Sequence, residues 1–188
     1  MTEATLRVGV FFTVLATMMA LEACFPARRS KLKRRVRWLG NFSLLVISSV
    51  LARLLIPLSV SAVAFYSVEH KLGLFNLGLF NNIKLLDELA VIISITVSVI
   101  LLDMIIYWQH RLFHTVPILW RLHKVHHADS HIDTSTGLRF HPIEIVLSVL
   151  IKMLAVVLLG IPVAAVIIFE VLLNAFALFN HANIRLPK

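Results

Sequence analysis

Seven of the nine histidines in this 188-residue chain lie between His110 and His141, in the runs HRLFH, HKVHH, HADSH and RFHPIE. Imidazole nitrogen suits zinc, iron, copper and nickel, whereas calcium and magnesium prefer oxygen. No cysteine lies nearby to make a thiolate site. Spacing matters as much as number. His110 and His114 are four apart and share one face of a helix, and His123, His126 and His127 repeat that geometry at i, i+3 and i+4. Two such faces can meet across a metal. One tetrahedral zinc takes about four ligands, so five histidines in two helical clusters, with more downstream, point to two metal ions.

The elements that position them must be membrane helices. The chain is 59% hydrophobic and 15% charged, with mean hydropathy +0.89, where a soluble domain is about half apolar and about a quarter charged. The excess has to face lipid, which predicts an all-α, polytopic transmembrane bundle. The net charge of +8 does not indicate a nucleic-acid partner, because seven of the eighteen Lys and Arg residues fall between Arg28 and Arg37, directly after an apolar run. That placement follows the positive-inside rule rather than a phosphate-tracking groove. The bland reading of this loop, 26–37, is that it holds the membrane orientation and touches anionic lipid heads; the alternative is a docking site for an acidic redox partner. The single cysteine, Cys24, cannot form an internal disulfide, so nothing implies an oxidising compartment.

Three spans followed by a helical hairpin account for the hydropathy. The first covers Leu6 to Phe25, an uncleaved helix ending in the cytoplasm, since its acidic Glu22 and trailing positive charge are wrong for a signal peptide. Trp38 to Tyr66 carries the chain outward, with a kink expected near Pro57. The connection Ser67 to Lys84 contains a repeated LGLFN, Gly73, Gly78 and Asn81-Asn82; His70 reads as a loop histidine. Leu85 to Trp108 returns the chain to the side where His110 begins. Ile143 to Phe179 divides at Gly160-Ile161-Pro162 into two short spans. This count puts His181 on the same cytoplasmic face as the His110 to His141 segment.

Asp103 sits in the last two turns of the third span, where a carboxylate is by default a functional candidate. Asp103, Tyr107, His110 and His114 form one helical stripe, which aims a carboxylate and a phenol toward two histidines. Asp103 then either accepts a ligand's second ring N–H, or is a helix-end residue that reaches to the interface or pairs with Arg111 or Arg121. His141, before Pro142, either orients Glu144 or caps the turn, and His131 reads as a loop residue.

Asp103, Tyr107-Trp108-Gln109-His110-Arg111, His114, His123-x-x-His126-His127, Arg139-Phe140-His141-Pro142-x-Glu144 and Asn180-His181-Ala182-Asn183 together resemble the membrane-bound fatty acid hydroxylase and sterol desaturase superfamily. The resemblance covers residues 103–188 as an incomplete histidine-box domain, after a transmembrane region over 1–102. It implies a non-haem diiron centre at the cytoplasmic membrane face, with His110, His114, His123, His126, His127 and His181 as iron ligands. Asp103, Tyr107, Arg139, His141, Glu144 and Asn183 carry over as supporting positions. It further implies dioxygen as co-substrate, hydroxylation or desaturation of an acyl chain or sterol, and electrons from a separate cytochrome b5-like protein or ferredoxin. Members carry a further H-x-x-H-H box beyond the stretch matching Asn180 to Lys188, so the expectation is a truncated member.

Other classes remain in view. A transition-metal transporter would need ionisable residues along several spans, whereas the histidines are placed beyond the helix ends. A zinc hydrolase would need H-E-x-x-H, and Arg111 stands where the glutamate belongs. A catalytically inactive membrane fragment is the third.

Overall fold

The computed structural model describes residues 3–28, 33–76 and 87–185. Among them every regular element is helical: α1 (Glu3–Cys24), α2 (Arg34–Leu55), α3 (Val60–Glu69), α4 (Asp87–Thr115), α5 (Pro117–His127), α6 (Pro142–Leu159) and α7 (Val163–His181), with 3₁₀ turns at Leu74–Asn76 and Thr134–Leu138. Five helical stretches are long and apolar enough to cross a membrane: α1, the run from α2 through Asn76, α4, α6 and α7. Side chains such as Val46, Leu54, Leu154 and Leu158 are more than half exposed along them, which is the expected condition of a lipid-facing surface. The second LGLFN copy, Gly78, Asn81-Asn82 and residues 29–32 of the basic loop lie outside the described residues.

Proline and serine set the breaks. Pro57 ends the helical run of α2, and Ser59 restarts it as the N-cap of α3 by accepting the Ala62 N–H at 3.1 Å. The expected kink is therefore a full break into two helices. No such breaker falls between Asp87 and Pro117, so α4 runs on to Thr115 and carries His110 and His114 inside the helix rather than beyond its end. Pro117 then opens α5, and Pro142 opens α6 behind His141, whose Nδ1 accepts the Ile143 N–H at 3.2 Å.

The α6–α7 hairpin is the centre of the bundle. Val156 and Ile161, with Ala165, Val166 and Phe169 of α7, are buried against Val60 and Ala64 of α3 and Leu102 of α4. Gly73 and Gly160 both have positive φ, at 88° and 73°, and a Cβ on Gly73 would stand 2.1 Å from the Gly160 backbone nitrogen. Only two glycines let the turn after α3 seat on the hairpin turn. A second apolar group, Leu15, Leu138 and Leu178, fixes α1 and the Thr134–Leu138 turn to α7.

Candidate metal centre

Three elements bring the histidines together. The last turns of α4 supply His110 and His114, α5 supplies His123, His126 and His127, and the final residue of α7 supplies His181. The ring centroids of His110, His114 and His123 are 4.7 Å apart in each pair, and His127 lies 4.9 Å from both His114 and His123. His126 stacks 5.3 Å from His123 and meets His181 edge-on at 4.7 Å. All six expected ligands thus form one connected cluster. One nitrogen from each of His110, His114 and His123 falls within a 4.8 Å group able to hold a metal ion.

The rings face each other through the same atom. Nε2 of His110 is 3.1 Å from Nε2 of His114, that of His123 is 3.2 Å from that of His127, and that of His126 is 3.0 Å from that of His181. Two nitrogens bound at about 2.1 Å to one ion stand about 3.0 Å apart at a right angle and about 3.4 Å apart at a tetrahedral one. The observed pairs fall in that interval.

Groups behind the rings hold the other nitrogen. Nδ1–H of His123 donates to Oε1 of Glu144 at 2.7 Å, that of His126 to the Arg139 carbonyl at 3.1 Å, and that of His181 to the Ala177 carbonyl at 2.6 Å. Each such bond fixes the tautomer that leaves Nε2 free as a lone pair. Burial, then proximity to His181, pushes the His126 pKa down to about 3, and burial with His123 and His114 nearby lowers that of His127. At neutral pH His126 is therefore an unprotonated donor. His123 and His126 are buried, whereas His110, His114 and His127 are exposed, the last two beside Trp120. The cluster is closed behind and open in front, and its all-nitrogen donor set fits a borderline metal such as iron or zinc.

A buried polar network supports α5 from below. Arg37 of α2 pairs with Asp129 at 3.1 Å and also bonds Asp133 and the His131 carbonyl. Asn41 donates to Asp129 at 2.9 Å and to Ser135 at 2.8 Å, and accepts from Arg139 at 2.9 Å. Arg139 also donates to the Val125 carbonyl at 2.8 Å. Burial pushes the Asp129 carboxyl up, but hydrogen bonds from Asn41, Thr136, the His131 N–H and Arg37 outweigh it and hold its pKa below the ordinary value.

The stripe on α4 forms as the spacing suggests, with Asp103, Tyr107, His110 and His114 all exposed along one helix. Asp103 is exposed with no described partner, Tyr107 is exposed and packs edge-on against Trp108, and neither has a hydrogen bond, ion pair or ring pairing with a histidine among the described residues. The carboxylate at the cluster is Glu144. His141 caps α6. Asn183 bonds the backbone of Arg28, at 3.0 Å and 2.8 Å, and stands 3.5 Å from His131. Arg37 is no headgroup residue, being buried in ion pairs. Reasoning from sequence missed Glu22, Arg37, Asn41, Asp129 and Asp133. Glu22 and Asn41 were findable as polar residues within apolar runs, and Asp133-Thr-Ser-Thr as a helix-capping pattern.

A family model described as fatty acid hydroxylase matches residues 95–188, half of the chain. The chain belongs to the fatty acid hydroxylase family. All six clustered histidines, with Glu144 and Arg139, lie within the matched part, while Glu22, Arg37 and Asn41 lie outside it. Membership, with the five long apolar helices, makes this fatty acid hydroxylase family member a membrane protein with a hydroxylase or desaturase type of function. No curated protein and no solved structure matches the chain.

Proposed function

We propose that the chain is a lipid oxygenase whose six clustered histidines hold a non-haem pair of iron ions. The observation that supports this best is the facing of six Nε2 atoms in three pairs 3.0–3.2 Å apart. His126 and His181 both place their N–H on a carbonyl through Nδ1, so neither has an Nε2–H to set between the facing nitrogens, which is where a cation fits. His110, His114, His123 and His127 form the larger group of donors, and His126 with His181 the smaller. Bound iron would supply activation of dioxygen and oxidation of an unactivated C–H bond, giving a hydroxyl group or a double bond.

The chain's own residues supply position and exclusion of water. Glu144, the Arg139 carbonyl and the Ala177 carbonyl hold three rings in the orientation that presents Nε2. Trp120 and the exposed apolar surface of α4 flank the open side, a setting that suits an acyl chain or sterol and not a polar substrate. Electrons come from a donor outside this sequence, of the cytochrome b5 or ferredoxin kind. Arg28, Lys33, Arg34 and Arg35 flank the ends of α1 and α2 nearest the histidines, which supports a cytoplasmic position for the cluster.

Growth on ⁵⁷Fe, followed by elemental analysis and Mössbauer spectroscopy of the detergent-purified chain, tests the reading. The expected result is iron on the histidine cluster, two ions per chain where the family's further H-x-x-H-H box is also present and fewer without it, lost together with lipid oxidation in the His126→Ala/His127→Ala variant. Stoichiometric zinc without iron under iron-replete growth overturns it.

A further inference from the structure

Glu22 is 2% exposed near the C-terminal end of α1, and neither the family match nor the proposed chemistry gives it a task. Its Oε1 accepts two backbone N–H groups from distant parts of the chain, Thr134 at 2.7 Å and Asn183 at 2.6 Å. Thr134 begins the 3₁₀ turn, and Asn183 stands two residues beyond His181. A buried carboxylate in a membrane-length helix is costly unless hydrogen-bonded, and these two N–H groups satisfy it.

Both tethers lead to one imidazole. The turn that starts at Thr134 lies against the last turn of α7 so closely that a Cβ on Gly137 would stand 2.8 Å from the Ala177 carbonyl and 3.4 Å from His181 Nδ1. That carbonyl is the group that takes the His181 Nδ1–H. On the other side the chain leaving α7 is zipped to the chain leaving α1, with Ala27 N–H on the Asn183 carbonyl at 3.1 Å and Arg185 N–H on the Phe25 carbonyl at 2.9 Å. Glu22 ties the turn and the segment leaving α7 to each other at the point where they bracket His181.

We infer that Glu22 is a positioning residue for His181, holding the end of α7 and the 3₁₀ turn so that the imidazole faces His126. The geometry stands by itself; its consequence for metal binding rests on the iron reading above. Removing the carboxylate frees the last turn of α7, and the His126–His181 pair loses its 3.0 Å approach while the four-histidine group stays in place.

The test compares the parent chain with Glu22→Ala, Glu22→Gln and Arg7→Ala. Arg7 lies on the same helix about four turns away and bonds Glu170 of α7, so its loss loosens α1 without touching the His181 end. Two readouts are taken in detergent: ferrous iron bound per chain under anaerobic titration, and the rate at which diethyl pyrocarbonate modifies each histidine of the metal-free chain, by peptide mass spectrometry. Glu22→Ala is expected to modify several times faster at His181 and at parental rates at His110 and His114. Its weaker iron position should lose about 10- to 100-fold in affinity, as when a group supporting a ligand is removed. Glu22→Gln keeps an oxygen acceptor for both N–H groups and should restore both readouts, and Arg7→Ala should leave both unchanged. Parental His181 reactivity in Glu22→Ala, or the same acceleration in Arg7→Ala, overturns the inference. A parent chain that takes up no iron, with His181 still faster in Glu22→Ala, overturns the iron reading and leaves the positioning role standing.

Discussion

Two ion-paired networks among the described residues, one buried beneath the histidines and one running from the bundle interior to its surface, serve different ends. Beneath the histidines, Arg37 bonds Asp129 and Asp133, Asn41 joins Asp129 to Arg139, and the Arg139 carbonyl holds His126. Midway along α6 and α7, Lys152 pairs with Glu170 at 3.0 Å, Glu170 also bonds Arg7 of α1, and Arg7 pairs with Glu3 at 3.0 Å. The first set is open-ended and leads to a ligand. The second is closed, charge-balanced and reaches no histidine. Buried charge therefore sets imidazole direction at one end of the molecule and helix pairing in the middle.

The sharpest break in that comparison is Arg37→Met. Asp129 and Asp133 would be left buried without their cation, a situation that costs about 3–5 kcal/mol. Unfolding in detergent should show that loss, with reduced iron uptake in the fraction that stays folded. Parental stability would mean that the two carboxylates find other partners and that the network is no unit.

Glu144→Ala acts on the same end through a single ring. His123 Nδ1 loses its acceptor, and metal affinity should fall about 10- to 100-fold with little change in unfolding. Glu144→Gln retains an oxygen to accept the N–H and should recover most of it. Metal titration of the two variants side by side checks the hydrogen bond rather than the volume of the side chain.

Gly160→Ala marks a position remote from both sets. With φ at 73° and its new Cβ 2.7 Å from the Leu72 carbonyl, alanine there should cost about 1–2 kcal/mol of stability for the backbone conformation alone, more for the close approach, and leave iron content at the parental value. A change in iron content would show that the hairpin turn and the histidine end are mechanically coupled.

These regions were unequally legible in the sequence. Hydropathy and the i, i+3, i+4 histidine spacing depend on neighbours along the chain, so the helices and the two local histidine clusters could be read directly, and proline marked the starts of α5 and α6. His181 was reachable by counting membrane crossings, because sidedness is conserved through a hairpin. Glu144 behind His123 came only as a motif position, since a contact across 21 residues leaves no periodic trace. The stripe on α4 was legible as a shared exposed face, but period says only which residues share a face, and neither Asp103 nor Tyr107 bonds a histidine among the described residues. Arg37 was hidden among charges that do face water, and Glu22 was read against a signal peptide and not as a buried acceptor.

The smallest effect is expected from removing the closed set as a unit. Glu170→Met alone strands Lys152 in the bundle, whereas Lys152→Met with Glu170→Met removes both charges and leaves Arg7 its partner Glu3. Replacing a whole buried ion pair with apolar side chains of similar size is commonly neutral or stabilising, so the double variant should unfold within about 1 kcal/mol of the parent and above the single one. Its iron content and His181 reactivity should be parental, because no member of this set bonds a group behind a histidine. The same treatment cannot leave the histidine end intact: an apolar replacement of Arg37, Asp129 and Asp133 would still deprive Asn41 of the Asp129 oxygen, and with it the setting of Arg139 and His126. If the double variant lost iron, the mid-bundle charges would also be acting on the site, and the division between pairing helices and aiming ligands would fail.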